Sequence, residues 1–174
     1  PNQGLKYRFQ MMNGARISVG MMSSALSSAA YYASLEYANE RPQGRTLSNQ
    51  DVTAPMENII NYADVKRMLL FQKSVMEGSL ALVCQCAMYA DLAKVSEGED
   101  AKKYKLLLDL LTPMAKAYPS EISVQSTSQG MQVLGGAGYC SDFPLQQYYR
   151  DTRINPIYEG TTGIQALDLL GRKV

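Results

Sequence analysis

Residues 17–35 read ISVGMMSSALSSAAYYASL, a stretch that contains no charged residue and no proline. Apolar and small residues recur in it three and four positions apart, which is the spacing of one helix face. Because alanine and serine are small, neighbouring helices can approach this segment closely. The stretch therefore predicts the middle of a long helix over about residues 5–39. The residues that set the spacing are Ile17, Met21, Ser24, Ala25, Ser28, Ala29, Tyr32 and Leu35.

Two more helical segments follow a polar loop at residues 41–55. The first runs over about residues 56–95 and keeps one face mostly apolar. The second covers about residues 101–117, and Pro113 and Pro119 predict a kink or break at its end, because proline lacks the N–H that a helix interior needs.

The rest of the chain predicts a fourth long segment and a short closing helix. The fourth segment starts at Ser120 and stops at Gly135-Gly136, since glycine commonly ends a helix. The closing helix covers about residues 164–170. Strands are not expected, because no stretch alternates cleanly between apolar and polar residues. The fold class is therefore all-α, an antiparallel four-helix bundle that forms one domain over residues 1–174.

Charge and composition exclude several functions. The chain has 17 Lys and Arg against 16 Asp and Glu, so its net charge is +1. Such a small charge does not indicate binding to nucleic acid. It contains no histidine, which removes Ser-His and Cys-His nucleophile pairs and every His-ligated metal. No metal site is predicted. The uncharged stretches are too rich in Ser, Gln and Gly for a membrane-spanning helix.

Glu159 is the candidate for acid–base chemistry. It lies in the run Ile157-Tyr158-Glu159-Gly160-Thr161, between apolar residues and the start of the closing helix. Shielding of a carboxylate from water raises its pKa, which suits a base that works near neutral pH. The alternative is that this acid only helps to begin the helix at its positive end.

The glycines and the arginines are open to two interpretations each. Gly135-Gly136 follows a predicted helix rather than a strand, so a tight turn with positive φ is favoured over a dinucleotide-binding loop. Arg16, alone on an uncharged helix, either reaches solvent, which is commoner, or pairs with a carboxylate. Arg41 and Arg45 flank a loop and could bind phosphate, although exposed basic residues at a helix end are common.

Five blocks of the chain together resemble the C-terminal domain of acyl-CoA dehydrogenases. The blocks follow one another in order, the resemblance covers nearly the whole chain, and the last two blocks are highly specific. The blocks are MNGAR at 12–16, EYANERPQGR at 36–45, QVLGGAGY at 132–139, YRD at 149–151 and IYEGTTGIQ at 157–165.

The resemblance implies both an activity and a larger protein. Members of the family have a helical domain, a β-domain and a C-terminal four-helix bundle, so this chain would be a fragment of a three-domain protein. They oxidise a fatty acyl-CoA thioester to a trans-2-enoyl-CoA with FAD. The resemblance implies that Glu159 is the base that removes the α-proton. It also implies that the backbone N–H of Glu159 donates a hydrogen bond to the thioester carbonyl. Ala15 occupies the position where a subset of the family carries its base instead.

The resemblance also assigns binding residues. One departure is that Arg41-Pro42-Gln43-Gly44 is one residue shorter than the family pattern and lacks its Phe. The cofactor-binding positions are Arg41, Gln43, Gln132, Gly135, Gly136 and Thr161. The substrate-binding positions are Asn13, Arg16, Tyr158 and Gly160.

Partners and alternatives follow from the same resemblance. It implies a homodimer or homotetramer that serves fatty acid β-oxidation and passes electrons to an electron-transfer flavoprotein, in a bacterial cytoplasm or a mitochondrial matrix. The isolated fragment is expected to be inactive. The alternatives are an acyl-CoA oxidase that uses dioxygen, a DNA-associated homologue with weak activity, and a helical interaction module without catalysis.

Overall fold

The computed structural model describes residues 4–45, 51 and 53–173, and its regular structure there is helical. Single turns of 3-10 helix cover Ile59–Asn61 and Gly135–Tyr139, and a π-helical turn covers Leu169–Lys173. These residues contain no strand, only one isolated bridge between Pro42 and Asn58. The helices are α1 (Gly4–Glu40), α2 (Ala63–Val95), α3 (Gly98–Leu134), α4 (Leu145–Thr152) and α5 (Thr162–Asp168).

The all-α bundle predicted from the sequence is confirmed. The long helices α1, α2 and α3 pack against one another, and the shorter α4 and α5 pack against α3 to complete the antiparallel four-helix bundle. Across the described residues, no helix combines the length with the apolar character that crossing a bilayer requires.

The second helix begins later than the sequence predicts, at Ala63 rather than near residue 56. The preceding residues are held by backbone bonds across the loop: the Gln43 N–H donates to the Glu57 carbonyl at 2.9 Å, and the Ile59 N–H donates to the Arg41 carbonyl at 2.9 Å. These bonds replace the first helical turns. Residues 46–50 and 52 of the predicted loop lie outside the described residues.

A kink or a break was predicted in the third segment; the break is wrong, because α3 continues through both prolines. Pro119 cannot donate to the Ala115 carbonyl one turn earlier. That carbonyl faces Gly20 of α1, where an added Cβ would collide with it. Pro113, Ala115 and Pro119 are all buried, so tight packing against α1 offsets the missing hydrogen bond.

The buried face of α1 is displaced from the predicted one. Met21 and Tyr32 are exposed, whereas the serines Ser23, Ser27 and Ser34 are fully buried. Ser23 and Ser34 donate to carbonyls four residues back in the helix, at 2.9 and 2.6 Å, which satisfies their hydroxyls without water. Small serines thus form the helix–helix contact.

The interior divides into two halves. The apolar half joins the C-terminal part of α1, the start of α2, the end of α3 and the start of α4. The polar half joins the N-terminal part of α1, the middle of α3, the residues that follow α4, and α5. The apolar half is Ala30, Tyr31, Ala38, Ile59, Val65, Met68, Leu69, Met76, Val133, Leu134 and Leu145. The polar half is Arg16, Ser23, Lys116, Asn155, Gln165 and Asp168.

Candidate functional site

The Glu159 turn joins the residues after α4 to the start of α5. Glu159 has a φ of 54° and Gly160 a φ of 91°, so both lie in the left-handed region. Gln165 fixes the turn, because its Nε2 donates to the Gly160 carbonyl at 3.1 Å and to the Glu159 carbonyl at 3.3 Å. A left-handed conformation is unfavourable for Glu, and such strain is concentrated at functional sites.

Thr161, not Glu159, caps the closing helix. The Thr161 hydroxyl accepts a hydrogen bond from the Ile164 N–H at 3.4 Å. The simpler interpretation of Glu159 as a helix-starting acid is therefore not what the structure shows, and its carboxylate is available for other chemistry.

Glu159 borders a cleft of about 500 Å³ between the turn and α1. The expectation that Ile157 and Tyr158 shield the carboxylate is wrong for this chain, because Glu159 and Ile157 are exposed. The cleft is open on one side of the domain, so its desolvation depends on what covers it. Its lining residues are Met11, Met12, Ala15, Glu159 and Gly160.

The backbone N–H of Glu159 is also available. It donates no hydrogen bond to any of the described residues. An N–H beside a carboxylate at the rim of a cleft can donate to an oxygen on which negative charge develops. The turn thus offers an acceptor for a proton and a donor for an oxyanion on the same residue.

Tyr158 packs against α1 rather than lining the cleft. Its hydroxyl donates to the Met22 sulfur at 3.6 Å. Burial raises the pKa of the Tyr158 hydroxyl, and the nearby Glu159 charge raises it further. The ring therefore stays neutral and anchors the turn to the first helix.

Arg16 does not reach solvent, so the commoner interpretation of this residue is wrong. It is 5% exposed, and its Nη1 donates to Asp168 Oδ2 at 2.7 Å. Lys173 lies 3.9 Å from the same carboxylate oxygen. Asn13 is half-buried. Neither Arg16 nor Asn13 lines the cleft of Glu159.

A second cleft, of about 540 Å³, gathers three of the predicted cofactor-binding residues: Gln43, Gln132 and Gly135. Gly135 has a φ of 59°, which confirms the tight turn predicted at this glycine. Arg41 and Gly136 are exposed and are not among its lining residues, and Thr161 belongs to the Glu159 turn. The two clefts share no lining residue.

The donors of the second cleft suit part of a dinucleotide. Arg45 lines it, and its Nε donates to the Ala54 carbonyl at 2.8 Å, which fixes the guanidinium. Two amide side chains and a glycine turn complete the set. Guanidinium, amide and backbone N–H groups are the donors that phosphate and ribose oxygens require, so these residues fit FAD.

Sequence reasoning missed several residues of the site. Met11 and Met12 line the first cleft, but a methionine on a helix carries no specific signal. Asp168 could not be paired with Arg16, since 152 residues separate them. Lys116 is fully buried, although lysine is normally exposed. Among the described residues, no group of three His, Cys, Asp or Glu side chains could hold a metal ion.

The chain belongs to the family of acyl-CoA dehydrogenases: residues 2–174 match the model described as "Acyl-CoA dehydrogenase, C-terminal domain". The 3-methylmercaptopropionyl-CoA dehydrogenase of Ruegeria pomeroyi is 42% identical over 99% of this chain and 29% of its own length. The broad-specificity linear acyl-CoA dehydrogenase FadE5 of Mycobacterium tuberculosis is 39% identical over 99% of this chain and 29% of its own length.

A solved structure shows the same fold. The acyl-CoA dehydrogenase of Bacillus anthracis complexed with FAD aligns with a TM-score of 0.78 at 23% identity, over 97% of this chain and 28% of that chain. The chain thus spans less than a third of the length of these relatives.

Proposed function

We propose that this chain is the C-terminal domain of a longer, FAD-dependent acyl-CoA dehydrogenase in which Glu159 removes the α-proton of a fatty acyl-CoA. The observation that carries the proposal is the Glu159 turn, which presents at the rim of one cleft a carboxylate and an N–H that has no partner among the residues described by the structure. The relatives are named as dehydrogenases of acyl-CoA thioesters, which supports the substrate class.

The chemistry follows from the two groups of Glu159. Its carboxylate accepts the α-proton, and the charge left behind moves to the thioester oxygen. Its N–H donates to that oxygen and stabilises the charge. Met11 and Met12 offer polarisable apolar contacts to an acyl chain, and Tyr158 holds the turn in place. A bound FAD, held by Gln43, Gln132 and Gly135, would supply the acceptor for the β-hydrogen as hydride, and the product would be a trans-2-enoyl-CoA.

The second cleft is the proposed cofactor contact. Gln43, Gln132 and Gly135 would hold the diphosphate and ribose of FAD. The separation of the two clefts supports a homodimer or homotetramer in which this cleft serves the FAD of a neighbouring subunit. Electron-transfer flavoprotein is the proposed acceptor, and the bacterial relatives favour a bacterial cytoplasm.

The Glu159→Gln variant of the complete enzyme tests the assignment. We expect the flavin spectrum to be unchanged and the exchange of the substrate α-proton with deuterium to fall on the order of 10²- to 10⁴-fold, because the base is lost. Glu97→Gln, at an exposed position in the turn before α3, is the matched control and should exchange normally. Normal exchange in Glu159→Gln would refute the assignment.

The same enzyme distinguishes a dehydrogenase from an oxidase. We propose that turnover requires an electron-accepting protein and releases little peroxide in air. Rapid peroxide formation would identify an oxidase. The isolated chain should be colourless and inactive, because both clefts lie open at its surface.

A further inference from the structure

Gln165 is a buried amide to which the proposed chemistry gives no role. It lies on α5 with 1% of its surface exposed. Its backbone N–H donates to the Thr161 carbonyl at 3.0 Å. Its side-chain Nε2 donates to the Gly160 carbonyl at 3.1 Å and to the Glu159 carbonyl at 3.3 Å. One residue thus binds three successive carbonyls of the Glu159 turn.

These three bonds constrain the backbone on the C-terminal side of Glu159. Glu159 and Gly160 have positive φ, at 54° and 91°, and such a conformation is unfavourable for a residue that carries a Cβ. Because their carbonyls are bonded to one buried amide, the peptide groups that follow Glu159 cannot rotate without breaking a hydrogen bond. Gln165 therefore sets the direction in which the Glu159 side chain leaves the backbone.

Gln165 is itself held in place by close packing on both sides. A Cβ added at Gly160 would lie 2.6 Å from Gln165 Nε2, so the turn and the amide are in tight contact. Asp168 follows three residues later on the buried face of α5, and it is bonded to Arg16 of α1 at 2.7 Å. This ion pair ties α5 to the helix that forms the other wall of the cleft.

The Gln165 side chain serves as a donor rather than as an acceptor. Its Oε1 is buried and has no hydrogen-bond partner in the described part of the chain. A buried polar atom without a partner costs stability, and turning the amide over would place this oxygen against two carbonyl oxygens. An apolar side chain of similar length would avoid the cost but could not bind the turn. Holding the turn is therefore a reason for an amide at this position.

We propose that Gln165 is a positioning residue that holds the Glu159 carboxylate and backbone N–H in the geometry for removing the substrate α-proton. This inference rests on the proposed function. The Glu159 side chain is exposed at an open cleft, so its position depends on the backbone that carries it. A displacement of a catalytic group by about 1 Å can lower the rate about 10²-fold.

The Gln165→Met variant of the complete enzyme tests the inference. We expect the exchange of the substrate α-proton with deuterium, counted per bound flavin, to fall on the order of 10- to 100-fold, and kcat to fall with it. KM should stay close to that of the unmodified enzyme, because the α1 residues that line the cleft are unchanged. A role in folding alone would lower the melting temperature and the yield of flavin-loaded enzyme, but would leave the exchange per bound flavin unchanged.

A second variant, Gln165→Asn, keeps the amide but shortens the side chain by one methylene group. Its N–H groups could not reach both carbonyls, so exchange should fall as in Gln165→Met. This variant also decides the matter if Gln165→Met does not fold.

Gln72→Met and Gln72→Asn are the matched controls. Gln72 is also a fully buried amide, and its Nε2 donates to the Met68 carbonyl at 3.4 Å. It lies on α2, which contributes no residue to the Glu159 cleft. Both controls should exchange at the normal rate per bound flavin, even where they lower the melting temperature. An equal fall at the two positions would refute a specific role for Gln165.

The outcomes are distinct from those for Glu159. If Glu159→Gln abolishes exchange but the Gln165 variants exchange normally per bound flavin, only the role of Gln165 is refuted. A rise in KM with kcat unchanged would also refute it, because the residue would then support binding rather than proton removal. If Glu159→Gln is fully active, the proposed function fails first.

Discussion

The apolar half and the polar half of the bundle are buried to a similar degree but are built from different chemistry. Leu145, at the centre of the apolar half, is 0% exposed and packs among Leu, Met and Val side chains. Lys116, in the polar half, is equally buried and has no hydrogen-bond partner in the described part of the chain. One half therefore stabilises the domain by apolar packing, whereas the other buries charged and polar groups at a cost in stability.

Truncation in the apolar half should have the largest effect on stability. Leu145→Ala removes a fully buried side chain and leaves a cavity, so we expect a loss of about 2–5 kcal/mol in the free energy of unfolding. Urea unfolding of the complete enzyme, followed by helical circular dichroism, measures it. Leu106→Ala, at a residue 67% exposed, is the control. An equal loss of unfolding free energy in Leu145→Ala and Leu106→Ala would contradict the claim that the apolar half stabilises the domain.

Gly20→Ala should have the next largest effect on stability, because the added methyl group pushes α1 away from α3, the two helices on either side of the polar half. The new Cβ would collide with the Ala115 carbonyl, which is backbone and cannot rotate away. We expect a loss of about 1–3 kcal/mol in the free energy of unfolding, measured by heat or urea. Gly78→Ala, which meets no atom within 4 Å, should instead stabilise α2 slightly. Similar stabilities for the two variants would contradict the close packing of α1 and α3.

The smallest expected effect is a pH dependence of stability that comes from Lys116. Its pKa lies below the ordinary value of 10.5 in the folded protein, mainly because of burial. Between the two values the unfolded chain binds more protons, so stability rises with pH toward 10.5 and this gain is absent at lower pH. Urea midpoints across the alkaline range should therefore rise more steeply in the unmodified enzyme than in Lys116→Met. Parallel profiles would mean that Lys116 is not desolvated.

The fold was largely predictable because helix formation is governed by local pattern. The proline-free first segment predicted α1, and the mostly apolar face of the second segment predicted the buried face of α2, which includes Val65, Val75 and Val83. The continuity of α3 was not predictable, because Pro119 is tolerated only through the contact of Ala115 with Gly20. That contact joins residues far apart in the chain.

The site could be predicted in part for the same reason. The local motif around Glu159 predicted a base; the structure places this residue at a cleft with α1, and its role as a base stays a prediction. The pairing of Arg16 with Asp168 and the burial of Lys116 depend on tertiary packing and leave no local signal. The exposure of Glu159 could not be predicted either, because it depends on what lies over the cleft rather than on Ile157 and Tyr158.

The ion pair between Arg16 and Asp168 has a consequence for how the protein folds during synthesis. Arg16 leaves the ribosome before its carboxylate partner, which is made 152 residues later. Until then, packing α1 against α3 would bury an uncompensated guanidinium group. The first half of the bundle must therefore remain loosely associated on the ribosome, and its final closure waits for the last helix to emerge.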